Sequence, residues 1–392
     1  MLSSCERQFE SVFQKVPMVT SFAPGRIEFI GNHTDYNGGE VLGAAIDRRI
    51  AAALGPRRDH TARFVSDEGG DPVVVDLRNP VRRSGRESWV NYPLGVYLEL
   101  VGAGMDPGTG FDFGCVSDLP SGAGLSSSAA LELATARGLC VLNDFTLADE
   151  ALVLLCQRAE NNFVGVPCGL LDQGVSCFGQ ADHLVHIDCA TVRFDRVAVP
   201  GQIHFWIFNS NQKHSLLDSL YAERHRECRE ALEVIRRQYP DVEHLAQVSP
   251  AVFRELRVDA GFTETHYARA RHVTEENARV RAVVDLLSKG DLAAVGDLLL
   301  ASHNSSSVFF QNSTPALDTL VQLLSGEKAV YGARLTGGGF GGAAMAMTSP
   351  DFGPDDAERI VSLYAEQMPH APLPTVFHAR TGDGAHAARR ST

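Results

Sequence analysis

The strongest constraint on this chain is the segment Leu119–Ala130, LPSGAGLSSSAA, which joins an apolar strand-like run to a long helical pattern. Glycines allow another molecule to approach the backbone closely, and the uncapped amides at a helix start attract an anion. The serine hydroxyls add groups for phosphate oxygens or for Mg²⁺. A glycine-rich turn with a serine N-cap is the alternative, but the strand-to-helix switch and the run Ser-Ser-Ser-Ala-Ala favour phosphate binding.

Two other nucleotide-binding motifs are excluded. The chain contains no Gly-Lys dipeptide, so the Walker-type phosphate loop is absent. The run Gly337–Gly342 formally matches Gly-x-Gly-x-x-Gly, but the strand-like segment Ala343–Thr348 follows it, whereas the dinucleotide fingerprint opens a helix. A glycine loop between strands is either a tight hairpin or the wall of a ligand cleft, and the local sequence leaves both open.

A second polar cluster, Pro24–Gly39, brings Arg26, His33 and Asp35 into one loop after a short apolar strand. Such a loop offers donors and acceptors for a polyhydroxylated ligand, although a polar turn with an Asx cap at Asp35 has the same residues. Zinc is weakly indicated, because one histidine and one aspartate lack further ligands at metal spacing.

A third cluster, Ala159–Gln173, contains two carboxylates. Glu160 lies near a predicted helix end, and Asp172 lies among apolar neighbours. A carboxylate in this setting is either a helix cap or a working base, and the cluster alone does not separate the two.

Composition restricts the kind of protein. With 392 residues the chain is too long for one compact core and suits two domains. Its formal charge of −13 argues against nucleic acid or an anionic membrane as the main partner. No signal peptide is apparent, no apolar run approaches the roughly 20 residues that span a bilayer, and the eight cysteines lack a Cys-x-x-Cys motif. Reduced, mostly buried thiols are therefore expected, and with them a location in the cytoplasm.

Hydrophobic periodicity predicts strands and helices over residues 1–200 and mainly charged amphipathic helices afterwards, so we place a domain boundary near residue 200. Among these, a strand is predicted over Phe111–Ser117, and helices over about Ser126–Leu142 and Leu147–Val164. The tail after Gly384 is expected to be frayed.

Together these clusters resemble the galactokinase family of the GHMP kinase superfamily. Gly25–Tyr36 is similar to the family pattern Gly-Arg-x-Asn-Leu-Ile-Gly-Glu-His-x-Asp-Tyr, Pro120–Ala129 to Pro-x-Gly-x-Gly-Leu-Ser-Ser-Ser-Ala, and Leu335–Gly342 to the third motif. Weaker similarity includes Asn209–Ser215 and Tyr221–Arg224. The resemblance covers nearly the whole chain, from about Phe22 to Gly384.

The resemblance implies an α/β (α+β) protein of two domains with the active site in the cleft between them. Residues 1–200 would form the N-terminal domain, with the sugar signature and the phosphate loop. Residues 201–392 would form a ferredoxin-like C-terminal domain that carries the glycine loop 337–342. The implied reaction is ATP- and Mg²⁺-dependent phosphorylation of galactose at O1, giving α-D-galactose 1-phosphate. The sequence leaves the oligomeric state open, with a monomer favoured. The expected partners are the sugar and MgATP, with no nucleic acid and no membrane.

The resemblance also assigns roles to residues of this chain. Asp172 would remove the O1 proton, while Arg26 pairs with that carboxylate and steadies charge on the transferring phosphoryl group. Ser128 and Glu160 would bind Mg²⁺. The implied sugar-binding residues are Asn32, His33, Asp35, Gly169 and Tyr221. The implied ATP-binding residues are Pro120, Ser121, Gly122, Ala123, Gly124, Leu125, Ser126, Ser127, Ser128 and Ala129.

One departure from the family pattern concerns the sugar. Where the family has Asn and then Glu, this chain has Glu28 and Asn32, and the family Glu normally hydrogen-bonds a sugar hydroxyl near C6. An amide at position 32 loses the negative charge, which Glu28 could restore, although a strand would not place the two side chains alike. A second departure is Leu42–Ala45, LGAA, in place of Leu-Pro-Met or similar.

Three alternatives stay open from the sequence. The sugar could be N-acetylgalactosamine or another hexose. The protein could be a non-catalytic sensor of sugar and ATP. Such sensors can lack residues of the Gly-Leu-Ser-Ser-Ser-Ala motif, but here the motif Gly124–Ala129 is complete and Asp172 is present. A relative acting on mevalonate or homoserine is disfavoured by the segment Gly31–Tyr36.

Overall fold

The computed structural model describes residues 1–67, 69–120, 122–212, 217–256 and 261–390. Ser121 of the predicted phosphate loop and residues 213–215 of the weaker family similarity lie outside the described residues. Within the described ranges the helices are α1 Leu2–Phe13, α2 Asn91–Gly102, α3 Ser127–Leu142, α4 Asp149–Arg158, α5 Leu171–Phe178, α6 Leu217–Arg236, α7 Pro250–Leu256, α8 Glu264–Lys289, α9 Leu292–Ser305, α10 Pro315–Ser325 and α11 Pro354–Gln367. The strands are β1 Val19–Ile30, β2 Glu40–Pro56, β3 Thr61–Ser66, β4 Val73–Asp76, β5 Phe111–Ser117, β6 His183–Asp188, β7 Arg193–Ala198, β8 His204–Asn209, β9 Val330–Thr336, β10 Ala343–Thr348, β11 Thr375–Ala379 and β12 His386–Arg389.

The strands form two sheets. The first has eight strands, in the order β12-β1-β2-β5-β3-β4, with β6 and β7 continuing from β2. Among its described strands, β3 and β5 pair in parallel and the other pairs are antiparallel. The second sheet is antiparallel, in the order β11-β8-β10-β9. Helices pack on both sheets, so the chain is of the predicted mixed α/β class.

A buried apolar cluster connects the two sheets. It combines Ile27 and Phe29 of β1 with Ile207 of β8, Met345 of β10 and residues of α8 and α9. Helices α2–α5 cover the opposite side of the first sheet. The residues of β1 from Ala23 to Ile30 are therefore buried on both faces. The functional loop after β1 starts from this rigid position.

Irregular pairing between β1 and β2 redirects side chains just before that loop. The register shifts between Pro24 and Arg26 and again between Glu28 and Ile30. Bulges of this kind bend a strand and reorient its side chains. Arg26 and Glu28 consequently reach the same site, as described below.

Four details differ from the sequence-based expectations. The predicted helix Leu147–Val164 divides into α4 and a π-helical segment, Ala159–Val164, and helices α5 and α7 were not predicted. The expected fraying after Gly384 is wrong, because β12 pairs with β1 from Val19↔Arg389 to Phe22↔His386.

The domain boundary near residue 200 stays a prediction. Among the described residues no helix has the length and apolarity needed to cross a membrane.

Candidate active site

A cavity of about 260 Å³ lies between the end of β1, the start of α5 and the β9–β10 loop. A volume of this size suits one small molecule. Charged and polar side chains alternate with glycine backbone around it. The lining residues are Arg26, Glu28, Asn32, His33, Asp35, Glu160, Val166, Pro167, Cys168, Gly169, Leu171, Asp172, Tyr221, Gly338, Gly339 and Phe340.

Asp172, in the first turn of α5, is held by Arg26 and Ser126. Arg26 Nε donates to Asp172 Oδ1 at 2.8 Å, and Arg26 Nη2 lies 2.6 Å from the same oxygen. The Ser126 hydroxyl donates to Asp172 Oδ2. Arg26 Nη1 also donates to the carbonyl oxygen of Gly124, at 2.5 Å. The carboxylate is therefore oriented by the cavity wall on one side and by the glycine–serine loop on the other.

The glycine–serine loop keeps its helix start open. Gly122, Gly124 and Ser126 have φ values of 71°, 66° and 58°, so the backbone adopts the left-handed conformation that glycine accepts most easily. Helix α3 begins at Ser127, and no side chain caps its first amides. The sequence predicts an anion-binding site at this helix start, and in the structure these amides are uncapped and Ser127 is exposed. The described residues of the loop lie beside the cavity and are not among its lining residues.

A buried ionic network fixes the loop after β1. Glu276 Oε1 accepts hydrogen bonds from the backbone amides of Gly31 and Asn32, at 3.1 and 3.2 Å. Arg279 Nε donates to Glu276 Oε2 at 2.7 Å. Burial disfavours the charged form of Glu276, but nearby positive charge outweighs this effect. The pKa of Glu276 is lowered to about 2, and Arg279 makes the largest contribution to the decrease. Gly31 has a φ of 107°, which only glycine adopts readily.

His33 is a neutral hydrogen-bonding group in the cavity wall. Burial lowers the pKa of His33 to about 3. Its Nε2 lies 3.0 Å from the carbonyl oxygen of Gly338, and its Nδ1 lies 2.9 Å from the hydroxyl of Tyr36. Because a carbonyl only accepts, Nε2 carries the proton and Nδ1 accepts from Tyr36. The ring of Tyr221 lies 5.1 Å from the His33 ring.

Asp35 is a carboxylate in an unfavourable environment. Burial raises the pKa of Asp35 to about 7, and the nearby charge of Asp172 adds to the rise. Gly169 lies directly against it, where any side chain would collide with the Asp35 carboxylate. The absence of a side chain at position 169 thus keeps space for Asp35 and for a ligand.

Glu160 and Ser128 form a second oxygen-rich point, next to the loop. Burial raises the pKa of Glu160 to about 7, the charge of Asp172 adds to the rise, and hydrogen bonds from Cys168, Ser128 and Gln173 oppose it. Gln173 Nε2 donates to Glu160 Oε2 at 2.7 Å and to the buried Glu132 Oε2 at 3.0 Å. In the described part of the chain no group of three histidine, cysteine or acidic residues forms a metal site.

The structure brings the residues predicted to bind sugar together in one cavity. The predicted catalytic base Asp172, its partner Arg26, and Glu160 line the same cavity. It also resolves the open alternatives for the glycine loop, because Gly338, Gly339 and Phe340 form part of the cavity wall. Sequence reasoning left out the wall segment Val166–Cys168, and it did not name Glu28 as a site residue although it considered Glu28 as a replacement for the lost charge. The exchange of Glu28 and Asn32 was the signal for the latter.

Family models match three parts of the chain. The galactokinase galactose-binding signature matches residues 7–56, the GHMP kinases N terminal domain residues 91–180, and the GHMP kinases C terminal domain residues 283–369. In structure, the chain is similar to mevalonate kinase of L. major, with a TM-score of 0.62, 18% identity, and 93% and 96% of the two chains covered. At that identity the likeness shows the fold alone. The matched N- and C-terminal domain models, together with the mixed α/β fold, define the class of the chain, a GHMP kinase.

At higher identity the chain is similar to galactokinases. A galactokinase of Chloroflexus aggregans is 36% identical over 381 residues, with 97% of each chain covered. One from Roseiflexus sp. is 39% identical over 340 residues, covering 87% of this chain and 86% of that protein. The crystal structure of Lactococcus lactis galactokinase complexed with galactose has a TM-score of 0.92 and 33% identity, and the comparison covers 98% and 99% of the two chains. The chain belongs to the galactokinase family and is an enzyme, a sugar kinase.

Proposed function

We propose that this enzyme transfers the γ-phosphoryl group of ATP to the O1 hydroxyl of galactose. The observation that carries the proposal is the position of Asp172, which lines the sugar-sized cavity and also accepts a hydrogen bond from Ser126 of the phosphate loop. One carboxylate therefore lies between the two substrates. The galactose-binding signature matched at residues 7–56 and the relative solved with galactose support the choice of sugar.

In the proposed reaction Asp172 accepts the proton of O1 while O1 attacks the γ-phosphorus. The new O1–P bond forms as the bond from phosphorus to the bridging oxygen of ADP breaks, and ADP leaves with that electron pair. Two contacts from Arg26 occupy Asp172 Oδ1, and one from Ser126 leaves Oδ2 a free acceptor site. Arg26 holds the base and supplies positive charge near the transferring group, which is how kinases obtain most of their acceleration.

ATP would bind with its phosphates on the loop Pro120–Ala129 and the open start of α3. Mg²⁺ fits the adjacent point formed by Ser128 and Glu160, since this ion commonly takes one or two protein oxygens plus water and phosphate oxygens. The bound ion would neutralise phosphate charge. Asn32, His33, Asp35, Gly169 and Tyr221 are the proposed surroundings of the sugar.

Turnover of ATP by the purified enzyme with Mg²⁺ and a panel of hexoses tests the proposal. Galactose-dependent ADP release with a product phosphorylated at O1 is the expected result. Activity confined to N-acetylgalactosamine or another hexose would refute the substrate, and ATP binding without turnover of any sugar would refute the reaction.

Substituting Asp172→Asn tests the base. We expect kcat to fall by about 10²–10⁴-fold, the usual contribution of a general base, with a smaller change in KM for galactose. Asp149→Asn is a matched control, because Asp149 also pairs with an arginine, Arg137 at 2.6 Å, outside the cavity. Full turnover by the Asp172 variant would overturn the assignment.

The cytoplasmic location and the monomeric state are further proposals. The former is supported by eight cysteines that all carry free thiols.

A further inference from the structure

Glu28 and Asn32, the two residues exchanged relative to the family pattern, are in direct contact. Asn32 Nδ2 donates to Glu28 Oε1 at 2.9 Å. The contact arises because β1 ends at Ile30 and the chain turns at Gly31, which brings residue 32 back over residue 28. The two side chains therefore act as one carboxylate–amide pair in the cavity wall.

The side chain of Asn32 has no capacity left for a sugar. Its Nδ2 also donates to the carbonyl oxygen of Gly337, at 2.9 Å. Its Oδ1 accepts from Ser306 Oγ at 3.1 Å and from Asn312 Nδ2 at 2.8 Å. Since Glu28 and the Gly337 carbonyl only accept, the orientation of the amide is fixed, and all four of its hydrogen-bonding positions are occupied. Asn32 is fully buried, with 0% exposure.

Glu28, in contrast to Asn32, keeps a free hydrogen-bond acceptor. Its Oε1 accepts from Asn32 and from Arg334 Nη2, the latter at 2.8 Å. No described residue donates to its Oε2, while Glu28 lines the cavity and retains 3% exposure. Arg334 is fully buried and also donates to the Glu28 backbone carbonyl, so the carboxylate is held firmly while one oxygen stays available.

We propose that Glu28, and not Asn32, supplies the charged acceptor for a sugar hydroxyl in this enzyme, through its free Oε2. Asn32 then serves as a positioning residue that, with Arg334, orients the Glu28 carboxylate. The inference rests on the proposed phosphorylation of a hexose and names a specificity-determining residue within it. The negative charge of the usual family glutamate is thus retained in the cavity from a different position of the chain.

A cycle that combines one substitution with singly deoxygenated sugars tests this inference. Glu28→Gln keeps an oxygen for Asn32 and Arg334 but replaces the acceptor facing the cavity by an NH₂ group. We expect kcat/KM for galactose to fall by about 10- to 100-fold, the value of a charge-assisted hydrogen bond. For the one deoxygalactose that lacks the recognised hydroxyl, the wild-type enzyme and the variant should have similar kcat/KM. For the other deoxygalactoses the two losses should multiply.

Glu40→Gln is the matched control, since Glu40 follows the same loop and pairs with Arg281 and His186 but does not line the cavity. It should leave the whole sugar panel unchanged. Should Glu28→Gln fail to fold, Glu28→Asp withdraws the carboxylate by one methylene, keeps its charge, and should give the same selective pattern. An equal penalty for every sugar would overturn the inference while leaving the proposed reaction intact. A wild-type enzyme inactive on galactose and on all its deoxy derivatives would overturn the proposed reaction itself.

Discussion

Asp35, a proposed sugar-binding residue, has a cost in folding free energy. Its carboxylate is largely removed from water beside two other acids, Asp172 and Glu28, and its pKa rises to about 7. An acid with a raised pKa binds its proton more tightly in the folded state than in the unfolded chain. The free energy of unfolding therefore decreases as the pH rises from about 4 to about 7, and the full cost is present above pH 7.

We expect Asp35→Asn to stabilise the ligand-free enzyme at pH 8, by roughly 2–4 kcal/mol, because the amide carries no charge to desolvate. The gain should shrink steadily toward pH 5, where the wild-type carboxyl is protonated. Urea unfolding at a series of pH values measures the difference. The same change at the exposed Asp144 serves as control and should show no such pH dependence. A gain that is constant with pH would contradict the ionisation argument.

At the scale of elements, the sequence predicted best the segments with a strong local pattern. Strand β5 and helix α3 were predicted within a residue, because each is an uninterrupted apolar or helical run beside the glycine–serine loop. Helix α5 was not, since it is short and contains Gly174 and Ser176, which are poor helix formers. Its first turn nevertheless carries Asp172, so the residue was predicted while its structural support was not.

The contacts that no local pattern encodes are those between distant segments. If Glu28 and Asn32 lay on one strand, their side chains would not occupy the same position. In the structure the chain turns at Gly31, and the two side chains are in contact. The partners that saturate Asn32 come from Ser306, Asn312 and Gly337, about 270–310 positions further along the chain. Motif similarity identified the residues of the site, but only the fold shows which hydrogen bonds are already used.

Strand β12 was missed for the same reason, since His386–Arg389 has no apolar run of its own and gains order only by pairing with β1. We expect removal of residues 386–392 to lower the free energy of unfolding by roughly 2–4 kcal/mol, through the lost ladder hydrogen bonds. It should also promote aggregation, because β1 would become an open edge. Urea midpoints and light scattering measure the two effects.

The surface ion pairs of this segment provide the control. Arg390 lies 3.0 Å from Glu10, and Arg389 lies 2.7 Å from Asp144. Replacing both arginines by alanine should cost far less than the truncation, since exposed pairs contribute about 0–1 kcal/mol each. Equal losses in the two variants would mean that the charges, and not the strand pairing, hold the tail.

At the scale of the whole molecule, both the cavity and the core connect the two halves of the chain. The cavity walls come from β1 and α5 on one side and from Tyr221 and the β9–β10 loop on the other. The apolar cluster below it joins both sheets. A sugar bound at the proposed site would contact groups from both halves of the chain, so we expect its binding to stabilise them together.

The two tryptophans allow this coupling to be measured in each half separately. Trp89 packs near Phe64 in the first half, and Trp206 lies in β8 of the second sheet. We expect the single-tryptophan variants Trp89→Phe and Trp206→Phe to report one common thermal midpoint by fluorescence, as coincident probes do in a cooperative transition. Galactose at 100 times its Kd should raise both midpoints together, by the equivalent of about 2.7 kcal/mol. If only one midpoint moved, the sugar would bind to one half alone, and the shared core would not couple the two sheets.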